Sequence, residues 1–578
     1  MISVSKSNRG SSPRLPLLSL GIIFLNSAIC QFPQFELGGY SRGVTNVGYL
    51  SNEDSVSTDI DVESHALIDL AIRGRLTPKA EVYSELRLGT NLALFDTSAS
   101  YAQLRRIVIS GQINKTWHYE IGDIDVSWTP FTIWNNNAEG NVGESELFAQ
   151  WRELQDYENF SEGNQWRLKG AKFQGLWTVG DSSNFKISNF ISRIQASDEI
   201  IRPEVLMGGV EIKITKPKIY LAIRAQDFAV LGNTVPGGSS LNVAALSADF
   251  SLSIASVLIR GEAGGSFSSS AADPSSSPFD NGNNIRGGFW DIQGSTSWSN
   301  KWSATVEAHS VADTYISPAS QSKRIRFNQV PSSFAQINNG NWNRDLSQGD
   351  LLTSSYLPRG ERPWNQLVQR ELMSYDARYG TASPYGKSTP NRRGISLQIA
   401  RGGIGERWSL KLVSSIQQDL TPEGVSRRRG YTNYETKGHF ALSSLWEGKR
   451  KLIINGGCRL QNVRRDNNLI DPVNLKTRLF DIGGHWEIIE SVSLLYGAKF
   501  INARGTEYLA DRNVDFVITD FDRIVLDFDD KIQAIGLKWS LNDNTQATIQ
   551  WQHWALDNYS INQSAVISRI LFLFTTTF

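Results

Sequence analysis

The chain has 578 residues with 58 basic and 58 acidic side chains, so its formal net charge is zero and no bulk field draws it to nucleic acid. Hydrophobic residues make up 40% and charged residues 20%, with 17 Trp, 17 Tyr and 26 Phe but only 3 Met and 2 Cys. Beyond the N-terminus no stretch reaches the roughly 20 consecutive apolar residues of a transmembrane helix, which excludes a polytopic helical membrane protein.

Residues 1–30 read as a secretory signal peptide. Lys6, Arg9 and Arg14 form a basic n-region, Leu15 to Leu25 a short apolar core, and Ser27-Ala28-Ile29-Cys30 a small-residue cleavage site. Cleavage after Cys30 leaves residues 31–578 as the mature chain. A lipidated Cys30 would want a leucine three residues earlier, where Ser27 stands. The mature chain then holds one cysteine, Cys458, and no internal disulfide framework despite export.

Period-two alternation dominates the mature chain. Strands are expected at 35–45, 62–75, 79–91, 101–111, 115–125, 165–180, 183–194, 204–215, 218–230, 240–252, 255–267, 286–298, 301–313, 392–401, 406–417, 433–446, 450–461, 474–486, 490–502, 531–541, 545–556 and 565–578. In 449–461, for example, Leu452, Ile454, Cys458 and Leu460 alternate with Lys451, Asn455, Arg459 and Gln461. Soluble strands usually run about 5 or 6 residues, whereas a tilted crossing of a bilayer takes about 9 to 11. The runs here are of the second kind. Their connections alternate between short turns, such as Lys216-Pro217, and long loops at 46–61, 126–164, 268–285, 314–391, 418–432 and 503–530. An even set of about 22 strands, 20 to 24 allowing for boundary error, has both termini on the short-turn side. The Trp residues near strand ends, Trp117, Trp298, Trp302, Trp408, Trp446 and Trp486, suit aromatic girdles at the two membrane interfaces.

Several shorter patterns carry no chemistry in this setting. Gly39-Tyr40-Ser41-Arg42-Gly43 matches a nucleophile elbow, but it lies inside the first strand rather than between a strand and a helix. Gly380 to Ser388, GTASPYGKS, has five residues between its glycines where a phosphate-binding loop has four. His65, His118, His309, His439, His485 and His553 are dispersed, without the spacing of a zinc site. Asp520, Asp522, Asp527, Asp529 and Asp530 are read as solvated charge in an external excursion, since the EF-hand spacing is absent. No catalytic residue, cofactor or metal is expected.

The two longest loops are the informative ones, because a barrel of this size leaves a wide lumen that natural examples plug. In 126–164, Leu147, Trp151, Leu154 and Tyr157 recur at helical spacing within Glu144 to Phe160, with Glu144, Glu146 and Glu153 between them. In 314–391, Arg359, Arg362, Arg370 and Arg378 lie among aromatics including Trp364. An acidic-aromatic helix facing a basic-aromatic segment would make a polar constriction, suited to sugar rings and acid groups.

The C-terminal run Ser564 to Phe578, SAVISRILFLFTTTF, sets Val566, Ile570, Phe572, Phe574 and Phe578 on one face; Ser568 and Thr576 depart from the apolar pattern. It resembles the terminal strand of Gram-negative outer-membrane β-barrel proteins, which the barrel-assembly machinery recognises. The resemblance implies an all-β, antiparallel up-and-down transmembrane barrel surrounded by outer-membrane lipid. In architecture the chain is similar to carbohydrate-selective and alginate-export porins, which implies passive passage of polar solutes, oligosaccharides or uronic-acid polymers among them. Two other readings stay open. One is a closed scaffold in a secretion or surface-attachment complex with a lipoprotein or periplasmic partner. The other is an outer-membrane hydrolase, for which no convergent triad is visible.

Overall fold

The structure, a computed structural model, describes Gln34 to Phe578 except 53–58, 92–99, 135–142, 151–156, 158–167, 181, 198, 201–202, 238–239, 272–282, 300, 321–323, 326–343, 346–381, 384–385, 403–405, 446–449, 466–471, 513–517 and 561. The signal-peptide reading of 1–30 lies outside these residues.

Twenty-two strands form one antiparallel sheet. The first, Gln34–Asn52, pairs with the second, Asp59–Thr77, and also with the last, Gln563–Thr577, so the sheet closes into a barrel. Closure leaves no edge, which is the condition for a sheet to sit in hydrocarbon, where an unpaired backbone group costs several kcal/mol. The alternation read from the sequence is that of the wall. In Leu452–Arg465, Ile454, Cys458 and Leu460 take the outward phase, with Ile454 and Leu460 well exposed, while Gln461, Val463 and Arg465 of the other phase are buried inside. Cys458 is a free cysteine on the lipid-facing phase of this strand.

Two expected long loops prove to be largely strand. The region 46–61 narrows to the gap between Asn52 and Asp59, and 503–530 is absorbed by the hairpin of Val492–Arg512 and Ile518–Asn542. The latter strand has 25 residues, about 80 Å of backbone at 3.3 Å per residue, far beyond what one bilayer crossing uses. Outside the membrane both faces are wet, so the ladder continues although apolar alternation stops. The acidic residues Asp520 to Asp530 therefore lie on this strand rather than in an excursion. Arg504 neutralises two of them, with Nε 3.1 Å from Asp527 and Nη2 3.2 Å from Asp529.

The aromatic girdle also differs from expectation. Trp117, Trp298, Trp302, Trp408 and Trp486 all lie beside short turns, so they mark one interface rather than two; Trp446 is outside the described residues. Trp298 stacks on Trp302 at 6.2 Å, and Trp302 meets Trp408 edge-on at 6.3 Å.

The C-terminal strand explains its own departures from the apolar pattern. Ser568 Oγ is 2.9 Å from His553 Nδ1 on the neighbouring strand, and Thr576 Oγ1 is 2.8 Å from Thr545 Oγ1. The terminal Phe578 exchanges backbone hydrogen bonds with Gly39, at 2.8 and 3.1 Å. A Cβ on Gly39 would stand 2.7 Å from the Phe578 ring and 2.4 Å from the Asp69 carbonyl oxygen. Thus the first glycine of Gly39-Tyr40-Ser41-Arg42-Gly43 seats the closing residue, and Ser41 Oγ merely donates to the Leu67 carbonyl at 3.1 Å. Gly39→Val is expected to lower the yield of closed barrel, read as loss of the heat-modifiable compact band on gels. An unchanged yield would show that closure does not depend on this seat.

Candidate functional site

The lumen face of the wall is polar and carries charges in register across strands. Asp69 lies opposite Arg87, and Asp481 opposite Lys499. A solvated lumen would leave such groups exposed, yet Asp69, Arg87, Asp481 and Lys499 are all buried. Parts of the connections 125–157 and 312–391 fold inside the barrel, and the first lies against these groups, Tyr157 on Asp69 and Arg87 and Glu144 on Lys499.

The first part, Asp125–Trp134, leaves the fifth strand (Trp117–Ile124) and packs on one sector of the wall. Val126 and Ile133 join Phe190, Val205, Met207, Phe228, Leu241 and Val243 in a core, together with Ile316 and Ala319 of the second connection. Polar contacts hold the backbone: Thr129 Oγ1 donates to Glu262 at 2.7 Å, and Gln226 Nε2 donates to the Thr132 carbonyl at 3.3 Å and to Ser317 Oγ at 3.0 Å. Phe131 stacks on Phe289 at 4.3 Å, and the Tyr315 hydroxyl donates to the Phe131 carbonyl.

The second part, Gly143–Gln150, lies against a distant sector, the strands from Leu452–Arg465 to Thr545–Asn558. Asn455 Nδ2 donates to the carbonyls of Gly143 and Glu144 at 2.9 and 2.6 Å. The chain approaches this closely because the wall is paved with small residues. A Cβ on Gly483 or Gly497 would stand within 2.7 or 2.3 Å of Ser145, and one on Gly143 within 2.1 Å of the Gly456 carbonyl carbon. The expected helix begins at Glu146, where Ala149 N–H donates to the Ser145 carbonyl at 2.9 Å. Leu147 and Phe148 pack on Leu495, Ile532, Ala534 and Trp554.

The acidic residues find their partners on the wall. Glu144 is 3.6 Å from Lys499 Nζ, which also pairs with Asp481 at 3.0 Å. Glu146 takes hydrogen bonds from His485 Nδ1 at 2.7 Å and Lys538 Nζ at 2.5 Å. Burial acts to raise the Glu146 carboxyl, but these two hydrogen bonds and the Lys538 charge outweigh it and bring its pKa down to about 2. The stabilisation is therefore complete above pH 4.5 and lost as pH falls through about 2, on the order of 2 kcal/mol. Glu146→Gln is expected to lower the melting temperature at neutral pH and to flatten its decline on acidification. A variant that melts as the parent does between pH 5 and 2, roughly the window of this titration, would contradict this.

Tyr157 fixes a third sector. Its hydroxyl donates to Asp69 Oδ2 at 2.5 Å, its carbonyl accepts from Arg105 Nη2 at 2.6 Å, and the Arg105 guanidinium lies 4.0 Å over its ring. Burial, opposed by Arg105, raises the phenol pKa, so the hydroxyl stays a donor. Below it Arg87 binds Asp69 through two nitrogens at 2.7 and 2.8 Å, and Arg105 bridges Asp69 and Glu85 at 2.8 and 2.6 Å. Arg105 reaches the lumen through a bulge: Glu85 pairs with Arg106 and Leu86 with Leu104, leaving Arg105 between them.

Trp151, Glu153, Arg359, Arg362, Trp364, Arg370 and Arg378 lie outside the described residues. Sequence reasoning misses Lys499, Lys538, His485, Arg105 and Asp69, whose only signal is their place on the polar phase of predicted strands. One of the six histidines, His309, comes together with Asp291 and Glu307, their ligand atoms within 4.8 Å of one another, the kind of group that can hold a metal. Lys387, from the GTASPYGKS turn, sets its ammonium 2.7 Å from Glu307 and 3.8 Å from Asp291, where it supplies the positive charge.

No protein-family model matches the chain, and no curated protein matches it. Among solved structures it is similar to the ferric citrate transporter FecA in the unliganded form, at 9% identity and a TM-score of 0.46, covering 94% of this chain and 78% of that one. Pseudomonas aeruginosa OccK2 in complex with glucuronate shows 9% identity and a TM-score of 0.35, over 77% and 96% of the two chains. A BenF-like porin from Pseudomonas fluorescens Pf-5 shows 9% and 0.34, over 78% and 99%. Likeness at this level carries no inference about what passes through the barrel.

Proposed function

We propose that this chain is an outer-membrane channel for passive passage of polar solutes, narrowed by its own inward-folded connections. The observation that supports the reading is a closed twenty-two-strand wall whose polar lumen binds the segment 125–157 at three separate sectors. Such anchoring suits a fixed constriction, because each attachment combines buried polar pairing with backbone contact. Oligosaccharides and uronic-acid polymers are the proposed solutes. The support for that class is compositional: arginines and aromatics are dense in 314–391, and planar arginine forks bind carboxylates while aromatic faces take sugar rings. Export by cleavage after Cys30 and assembly through the strand ending at Phe578 belong to the same proposal.

Purified protein in planar lipid bilayers is expected to show ohmic conductance, reduced by added oligouronate. A sealed bilayer after verified insertion would overturn the channel reading in favour of a closed scaffold. Conductance indifferent to oligouronate and neutral oligosaccharide would overturn the solute class alone.

A further inference from the structure

The connection 419–429 joins the strands Trp408–Gln418 and Gly430–Ala441 on the long-loop, external side of the barrel. At its base an open cleft of about 690 Å³ lies on the outer surface of the wall. Register places its floor: Ile416 pairs with Thr432 and Gln418 with Gly430, and across the next strand Thr432 pairs with Asn462 and Gly430 with Arg464. These residues share the outward phase with Leu412, Tyr434 and Leu460, opposite in phase to the buried Ser415, Tyr431 and Val463. Arg429 turns inward to a buried cluster with Asp419, Glu423 and Glu507, so its exposed neighbour Arg428 takes the outward side.

Three arginines line this cleft, Arg427, Arg428 and Arg464, and among the described residues no acidic side chain lines it. Ile416 of the cleft floor is 62% exposed, and one level toward the membrane the same face presents the paired Tyr434 and Leu460, 52% and 39% exposed and part of the lipid-facing band. The face thus changes from mixed apolar and aromatic side chains to arginines within a few residues. That succession matches the passage from acyl chains to headgroups at the external interface.

We propose that the cleft binds the phosphorylated headgroup of a glycolipid in the outer leaflet. Arginine forks pair with phosphate oxygens, Gln418, Thr432 and Asn462 offer amide and hydroxyl partners to sugar, and the acyl chains lie along Ile416 and Leu460. The site is open sideways to the bilayer, which a ligand diffusing in the membrane plane requires. It rests on the barrel's membrane placement and not on passage through the lumen.

The test uses the full-length protein in detergent micelles, titrated with bis-phosphorylated lipid A, with dephosphorylated lipid A and with inorganic phosphate, and read by native mass spectrometry. The parent is expected to retain lipid A, and the double variant R428Q/R464Q to bind it about tenfold more weakly, as loss of charge-assisted pairs implies. Both positions are exposed, and retention of the heat-modifiable band checks that the variant is folded; if it is not, R427Q alone takes its place. Equal binding by the variant overturns the proposal. So does equal binding of dephosphorylated lipid, which would show an acyl-chain contact only, or phosphate binding as tight as lipid A, which would show an anion site without lipid preference.

Discussion

Replacing Gly143 with valine is expected to leave the barrel closed and to raise its conductance. Gly143 has φ +59° and sits where a Cβ would be 2.1 Å from the carbonyl carbon of Gly456 and 2.4 Å from the backbone nitrogen of Gly457. The left-handed conformation alone costs a non-glycine residue about 1–2 kcal/mol, and more for a β-branched one. The overlap is with strand backbone, which cannot move without breaking the ladder, so it is the loop that must lift. With it go the Asn455 hydrogen bonds to Gly143 and Glu144 and the packing of Ser145 on Gly483 and Gly497. Single-channel recording in planar bilayers checks this, with heat-modifiable mobility as the control for closure. Unchanged conductance in a folded variant would show that this segment does not narrow the path.

Arg105→Ala is expected to destabilise the protein by about 3–5 kcal/mol, the usual consequence of removing one partner from a buried charge cluster. Arg105 and Asp69 are both about 1% exposed in their side chains, and Arg105 alone bridges Asp69, Glu85 and the Tyr157 carbonyl. Without it Glu85 loses the guanidinium that bonds it at 2.6 Å, and Arg87 remains committed to Asp69. Arg105→Lys is expected to rescue little, since an ammonium cannot span two carboxylates and a carbonyl with the planar fork of a guanidinium. Thermal unfolding followed by circular dichroism measures the loss. Loosening of the Tyr157 anchor should also appear as added open-channel noise. A melting temperature within error of the parent would show that the cluster is not a principal anchor.

The wall is legible in the sequence to a degree the interior is not. A strand facing lipid on one side must be apolar at every second residue, so Ile454, Cys458 and Leu460, or Ile570 and Phe572, announce both the strand and its phase. The hairpin Val492–Arg512 with Ile518–Asn542 reads short because that constraint ends at the membrane surface while backbone pairing does not. The bulge at Arg105 is invisible, since Leu104 and Ile107 are each acceptable lipid-facing residues and only cross-strand register shows that the phase changes between them. The inward helix is anticipated by Leu147, Trp151, Leu154 and Tyr157, and its described start at Glu146 agrees. Composition points to another loop for its electrostatic partners, whereas those of Glu144 and Glu146 are Lys499, His485 and Lys538 of the wall.

Sequence by itself determined the class of the molecule: an antiparallel barrel of about twenty-two strands, its lipid face, and the side on which its long connections lie, while cross-strand pairing fixed the count. The bilayer is a uniform solvent that acts on each strand separately, so its demands are written locally, two residues at a time. Only the tertiary structure decided what the lumen is. Gly143 meets Gly456, Glu146 meets Lys538 and Tyr157 meets Asp69 across separations of 313, 392 and 88 residues. Those meetings depend on how a closed sheet brings distant strands round to face one inward-folded connection, a relation that no local period records.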